Sequence, residues 1–520
     1  MCGGARVRTI VVGSGAAGAV VAARLSEDPR HEVVLVEAGP DYPDASGDAR
    51  RLPADLRDGR HNSMRAHDWG YRYRAVDHRW FGLLRMDFPR GRVVGGSSAV
   101  NTCIALRGQP YDYDEWASLG LPEWSYARCL PAFRRLERDL DFGGEHHGDA
   151  GPIPIRRHPS SELVPWQAAF LEACAEVGYA RADDANDPAS TGAGPHAMNK
   201  IDGERMGAAR CYLTGPVRAR ENLTIVPDTL VRRVLVSGGV AQGVEASRFG
   251  RVVTHRAERV VLAGGAIATP GILQRTGVGP AAHVAAVGAE LVAEVPGVAA
   301  RLLDHPGVAV FFWPETPGFS SLEHPLVQTV CRYTSAGSDC PNDMQLQPGS
   351  WVPLPWGDVR AVTLASCVGK PRGVGRLRFV SGRAEDAPVI ETALLSHPDD
   401  RRMASEALAK IGELARTKTL SALARPVYPS RRPWDDAGRF TPPLEQITGS
   451  GYHPSGTAKM GPDRDALAVT DGRGRVRGVR GLYVADASLM PTITSSNTHV
   501  ATLMIGERFG EWLRDDREMR

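Results

Sequence analysis

The sequence predicts an α/β protein: a nucleotide-binding domain that the chain leaves and re-enters, beside a second, substrate-binding domain built on an antiparallel sheet. Three observations predict it. The chain opens with a strand, a glycine turn and a helix. Strand patterns and long loops fill residues 311 to 445. A last buried strand, GLYVA at 481–485, ends at Asp486 and returns to the pattern of the opening.

Val7 to Val12 is a short, β-branched apolar run, the pattern of a strand buried in a parallel sheet. Gly13-Ser14-Gly15-Ala16-Ala17-Gly18 follows as GxGxxG, Ala19 to Ser26 continues as a helix with small residues on its inner face, and His31 to Val36 forms a second strand ending at Glu37. In such a Rossmann-like βαβ unit Gly13 permits the tight turn, Gly15 lets the backbone approach a pyrophosphate, and Gly18 lets the helix pack on the strand. The pyrophosphate then lies at the positive end of the helix. Glu37 stands 19 residues beyond Gly18, where a carboxylate accepts hydrogen bonds from a ribose diol. No arginine directly follows Glu37 to favour a 2′-phosphate, and the motif alone does not separate FAD from NAD.

Residues 38 to 87 read as a long excursion over the surface or over a ligand. Asp68-Trp69 and Trp80-Phe81 within it are candidates to line a pocket, with packing as the competing role. RGRVVGGSSAVN, Arg90 to Asn101, reads as a loop that approaches a ligand closely and offers hydroxyl and amide groups. Residues 112 to 140 read as helical, with Trp116, Trp124 and Phe133 packing, and Gly143 to Gly151 as a mobile loop holding His146-His147 as a solvated pair. Asn222 to Val236 and Gln242 to Ala263 alternate like antiparallel strands and hairpins. Met344-Gln345-Leu346-Gln347 alternates like a strand whose glutamines face substrate. Asp399 to Arg416 is one clear helix, and a last helix runs from near Val500 to about Arg514. The resulting division is nucleotide domain 1–155, substrate domain 156–204, nucleotide domain 205–310, substrate domain 311–445 and nucleotide domain 446–520.

Composition excludes several classes. With 62 basic and 60 acidic residues in 520, the net charge of +2 gives no electrostatic case for a nucleic-acid partner. The 57 glycines and 38 prolines are scattered, against collagen and low-complexity readings. The eight cysteines show no two-residue spacing, so no metal or redox motif is expected, and they point to a reduced, cytoplasmic location. The uncharged run Thr9 to Ala23 is shorter than the roughly 20 residues of a membrane helix, and its glycine spacing marks it as structural rather than an export signal. No membrane span is expected, and homo-oligomerisation is left open.

Motifs in order along nearly the whole chain resemble the glucose-methanol-choline (GMC) family of flavoprotein oxidoreductases. They are GSGAAG with distal Glu37, GRVVGGSSAVN at 91–101, GGAIATPGILQRTGVGP at 264–280, LLDHPG at 302–307, YHPSGTAKMG at 452–461 and VADASLMPTITSSNTHVATLMIGE at 484–507. The resemblance implies FAD as cofactor, an alcohol as small-molecule substrate, and oxygen or another electron acceptor. Carried over by position, Ala16, Ala17 and Glu37 would contact the diphosphate and ribose. Arg92, Val94, Gly96, Ser97, Asn101, Thr102, Cys103 and Ile104 would border the cofactor, Ser97 and Asn101 along the flavin and its ribityl chain. Val231 would meet adenine through its backbone, and Asp486, Ala487 and Val500 the ribityl and ring region. His453 and His499 would form the catalytic pair at the flavin's reactive face.

Three positions depart from the family pattern. Val100 stands where some relatives tether the flavin through histidine, so FAD is expected to be non-covalent. Ala299-Ala300-Arg301-Leu302-Leu303 replaces a segment that commonly holds Asn and Gln. Thr276 replaces a usual Ser.

Alcohol oxidation removes a proton from oxygen and a hydride from carbon. The cofactor accepts the hydride; the protein supplies a base within hydrogen-bond reach and holds the C–H bond in line. A neutral imidazole suits, with an ordinary pKa of about 6.5. His453 precedes Pro454 and His499 lies between Thr498 and Val500, in stretches of glycine and small polar residues rather than on an apolar helical face. His453 is read as the principal base, His499 as substrate orienter and oxyanion stabiliser, and His305, in Asp304-His305-Pro306, as tying a loop. A non-redox lyase of the same fold is the alternative reading. An NAD dehydrogenase leaves GGSSAVN and both carboxyl-terminal histidines unexplained.

Overall fold

The computed structural model describes residues 7–45, 48–74, 85–354 and 357–515; Trp80 and Phe81 lie outside them. A five-stranded, wholly parallel sheet runs in the order Leu223–Val226, His31–Val36, Val7–Val12, Arg259–Leu262, Leu482–Val484. The buried apolar stretches Ile10 to Val12, Val33 to Val36, Val260 to Leu262 and Leu482 to Val484 form its centre, covered on both faces. The opening helix, Ala16–Leu25, packs on the last helix, Thr498–Asp515. Glycine allows that crossing: a Cβ on Gly506 would lie 2.8 Å from Val20 Cβ.

A second, antiparallel sheet runs Ala424–Tyr428, Pro306–Pro314, Val362–Val368, Met344–Gly349, Thr329–Tyr333, Gly192–Pro195, with Thr448–Ser450 also on Pro306–Pro314. Its side chains alternate with the two-residue strand period. Val308, Val310, Phe312, Val362 and Leu364 face the helices Pro165–Glu176 and Pro398–Ala415, in a core with Trp166, Phe170, Leu408 and Ile411. Gly307, Ala309, Phe311, Ala365 and Cys367 face the opposite way, into a cavity. Among the described residues no helix is long and apolar enough to cross a membrane.

Three sequence expectations need correction. In 222–263 only Thr229–Ser237, Val240–Arg248 and Arg251–Arg256 form an antiparallel sheet; Leu223–Val226 and Arg259–Leu262 belong to the parallel one. Short apolar runs look alike in both settings, and the partner strands lie far away in sequence. The helix expected over 112–140 is broken into Pro110–Ser118, a single turn Pro122–Trp124 and Tyr126–Leu136, because Gly120 turns with φ 98° and Pro122 restarts the chain. Trp116, Trp124 and Phe133 are fully buried in the core.

The third correction is His147, which is buried rather than solvated. Its Nδ1 lies 3.0 Å from Glu137 and 3.1 Å from Asp139, and its Nε2 lies 2.9 Å from Asp184. Arg157 reaches Asp139 and Asp184 at 2.5 Å each, and Arg107 reaches Glu137 at 2.5 Å. Hydrogen bonds that it donates to Asp139, Asp184 and Glu137 push the imidazole pKa up to about 11, so it is a cation. Three carboxylates are thus balanced by three cations. The ligand atoms of Glu137, Asp139 and His147 lie within 4.8 Å of one another, but a proton and two guanidiniums already occupy the roles an ion would take.

Candidate active site

A cavity of about 1260 Å³ is lined from both sheets. One end is the N-terminus of the opening helix. No side chain caps that helix, so its first-turn N–H groups are free for an anion. A Cβ on Gly18 would lie 1.8 Å from the Gly13 carbonyl oxygen, so only glycine lets helix and strand meet. Gly96, with φ 51°, brings the second glycine loop against the first, and a Cβ there would lie 2.8 Å from Gly15 Cα.

Glu37 is buried at the end of its strand. Its Oε2 accepts from Ser14 N at 3.0 Å and Ser14 Oγ at 2.7 Å, and its Oε1 accepts from Gly39 N at 2.9 Å. Ala38 adds a further backbone bond, so a ribose hydroxyl would share this carboxylate with the protein donors. Burial pushes its pKa up while the bonds from Ser14 and Gly39 oppose that. The uncapped helix end, the two facing glycine loops and this carboxylate together fit a dinucleotide. Glu37→Gln should weaken retention of that dinucleotide by about 1.5–3 kcal/mol, the scale of a hydrogen bond to a charged group. A cofactor-release titration checks this; unchanged affinity would remove Glu37 from the ribose.

Of the residues proposed from sequence, Gly13, Gly15, Ala16, Ala17, Glu37, Gly96, Ser97, Asn101, Thr102, Ile104, Val231, Asp486, Ala487, His453 and His499 line this cavity. The rest do not line it. Gly18 and Val500 pack under the wall, Val94 lies in the main core, and Cys103, at φ 61°, is buried beside Ile104, Leu106 and Met198. Arg92 sets its guanidinium over the Trp69 ring, 4.9 Å from its centroid. Trp69 itself lines the cavity and stacks on Tyr71. Asp486 is committed to protein donors, accepting from Gly265 N and Ser488 N at 2.8 Å each and from Thr269 Oγ1 at 2.7 Å.

At the other end stands a histidine cluster. His453 and His499 line the cavity with Asn497 and His305. Asn497 Nδ2 lies 3.0 Å from His453 Nε2, and His305 Nδ1 lies 2.8 Å from His453 Nδ1, the two rings nearly perpendicular at 75°. His499 Nε2 and Asn497 Oδ1 are buried without a protein partner. Burial holds His453 well below the usual imidazole value, helped by His305 and the Arg90 cation, and holds His499 down to about 4. Both rings are therefore neutral at neutral pH. Asp304 fixes the loop: its Oδ1 accepts from His453 N at 2.8 Å, and its other oxygen accepts from Ser450 Oγ.

Asn497 and the His305–His453 contact are the residues sequence reasoning did not bring to the site. Asn497, two residues before His499 in a run of small polar residues, had a legible signal. The contact of His305 with a residue 148 positions away had none.

The GMC oxidoreductase family models match residues 7–307 and 371–506. A 5-(hydroxymethyl)furfural oxidase of Methylovorus sp. is 34% identical, covering 96% of this chain and 97% of its own. Choline oxidase of Arthrobacter globiformis is 33% identical, covering 98% of this chain and 94% of its own. Among solved structures, pyridoxine 4-oxidase from Mesorbium loti superposes with a TM-score of 0.85 at 28% identity, over 98% of this chain and 100% of that one. An FAD-dependent oxidoreductase from Chaetomium thermophilum, at 21% identity and a TM-score of 0.82 over 98% of this chain and 100% of its own, shares the fold. Matched in both regions and aligned with relatives end to end, a chain whose cavity joins a dinucleotide cradle to a buried imidazole cluster belongs to the GMC oxidoreductases.

Proposed function

We propose that the chain oxidises a neutral alcohol at its CH–OH carbon, with FAD held non-covalently, His453 as base and His499 as the group that orients the substrate oxygen. The observation that carries this reading is the placement of two neutral, buried imidazoles in the same cavity as the dinucleotide cradle. FAD, when bound, supplies the hydride acceptor. His453 Nε2 takes the hydroxyl proton; in the resting site it is held by Asn497 Nδ2, which the substrate hydroxyl displaces or joins. His499 Nε2 has no protein partner and is free to bond the substrate oxygen as charge develops there. Val100 lines the cavity and has no atom able to tether a flavin. The five-segment division into nucleotide and substrate domains follows the same reading, with the antiparallel sheet as substrate floor.

That floor favours an uncharged substrate. Gly307, Ala309, Ala365, Cys367, Gln345 and Gln347 line the cavity from the antiparallel sheet, and none is ionic at neutral pH. Burial pushes the Cys367 thiol up to about 12, and Gln345 Nε2 is committed to the Ser495 carbonyl at 3.1 Å. The names of the furfural, choline and pyridoxine relatives as oxidases favour oxygen as the final acceptor. Anaerobic mixing with a panel of neutral primary alcohols and choline tests the reading. A neutral alcohol should bleach the flavin faster than choline; a preference for choline would contradict the proposed substrate class.

A further inference from the structure

We propose that His305 is a positioning residue that fixes the tautomer of His453, so that Nε2, the nitrogen held by Asn497 at the cavity, keeps its lone pair. The inference rests on reading His453 as the base. It follows from one fixed point. His305 Nε2 lies 2.9 Å from the Thr494 carbonyl oxygen and 3.1 Å from that of Gly369. Carbonyl oxygens only accept, so this nitrogen carries a hydrogen. A neutral imidazole has one N–H, so His305 Nδ1 is an acceptor. Full burial holds His305 down to about 4, which keeps the doubly protonated form away at neutral pH.

The next link is His453 Nδ1, 2.8 Å from that acceptor. It must donate, so His453 carries its hydrogen on Nδ1 and its Nε2 is bare. Asn497 agrees, since its Nδ2 donates to Nε2 at 3.0 Å. The reverse chain of hydrogens would set a bare nitrogen of His305 against two carbonyl oxygens at once. Backbone bonds hold both rings in place: Gly451 N donates to the His305 carbonyl at 2.8 Å, and His453 N to Asp304 Oδ1 at 2.8 Å. The loop-tying role expected for His305 is thus half of its work. By gripping two carbonyls with one nitrogen it dictates what the other nitrogen accepts, as hydrogen bonding at one ring nitrogen dictates the other.

The test uses the FAD-loaded enzyme and anaerobic flavin reduction by an alcohol that works. His305→Leu removes the acceptor and should lower the limiting rate by about 10²–10⁴-fold, the scale at which a catalytic histidine in the wrong tautomer is felt. His305→Asn returns an acceptor oxygen near the position of Nδ1 and should recover at least about tenfold of that loss, which a merely space-filling role would not do. In the parent, ¹⁵N NMR of labelled histidine should show His453 Nδ1 protonated and Nε2 unprotonated at neutral pH. That reading stands even if the leucine variant does not load FAD. A proton on Nε2, a leucine variant at parental rate, or an asparagine variant as slow as leucine would overturn the proposal. If His453→Gln reduces flavin at near-parental rate, the base assignment itself falls; if that variant is slow while His305→Leu is not, only the present inference falls.

Discussion

His453→Ala lowers the rate of flavin reduction by about 10²–10⁴-fold, the usual worth of a positioned acid–base group, with FAD content little changed. The cofactor's cradle, Gly13 to Gly18 and Glu37, lies at the other end of the cavity, which is why loading is spared. The pH dependence carries the assignment further. The His453 pKa is lowered well below 6.5 by burial, then by His305 and Arg90. Protonation removes the lone pair, so the parental rate should be flat around neutrality and fall only well below pH 6.5. The alanine variant should lack that limb. His499→Ala should also slow reduction, and, if both rings serve one substrate oxygen as proposed, the double variant should be less impaired than the product of the single effects. Anaerobic stopped-flow kinetics across pH measures all of this. A His453→Ala enzyme with near-parental rate and an unchanged pH profile would remove His453 from the mechanism.

His147→Leu should destabilise the fold by about 3–5 kcal/mol, the cost of removing one partner from a buried ion network. It leaves Glu137, Asp139 and Asp184 facing only Arg107 and Arg157. The sign with pH is fixed by the direction of the shift. The folded pKa of His147 is raised to about 11 from 6.5, so the folded state holds a proton that the unfolded chain releases as pH passes 6.5. Its contribution is full below pH 6.5 and is lost as pH rises toward 11. Thermal melting of the parent should therefore lose ground between pH 6.5 and 11, and the leucine variant should lose less. Equal slopes in the two proteins, or equal stability at pH 6, would contradict the charged state assigned to His147.

These two histidines mark what was legible in the sequence. The opening βαβ unit was, because its information is local: a β-branched run, glycines at fixed spacing and a terminal glutamate sit within 37 residues. That His453 and His499 line one cavity was legible through ordered motifs. His147 was not, because a His-His pair in a glycine-flanked loop looks solvated until Asp184 and Arg157 fold over it. The strands at 223–226 and 259–262 were mistaken for hairpin partners because neither run names its neighbour; parallel pairing joins them to residues 31–36 and 7–12 across hundreds of positions. The hydrogen-bond direction in the His305–His453 pair was out of reach for a related reason. It depends on two carbonyls, Gly369, which no motif contains, and Thr494, whose motif says nothing of where its backbone points.

The central claim is that hydride leaves the alcohol carbon for FAD in this cavity while His453 takes the hydroxyl proton. It is tested most directly by anaerobic stopped-flow reduction with a neutral primary alcohol and its α-dideuterated form. The account predicts that both bleach the flavin, that the deuterated alcohol does so more slowly, and that the aldehyde appears in equal amount to reduced FAD. Protein that carries no flavin, or flavin that stays oxidised while the alcohol is converted, would contradict it.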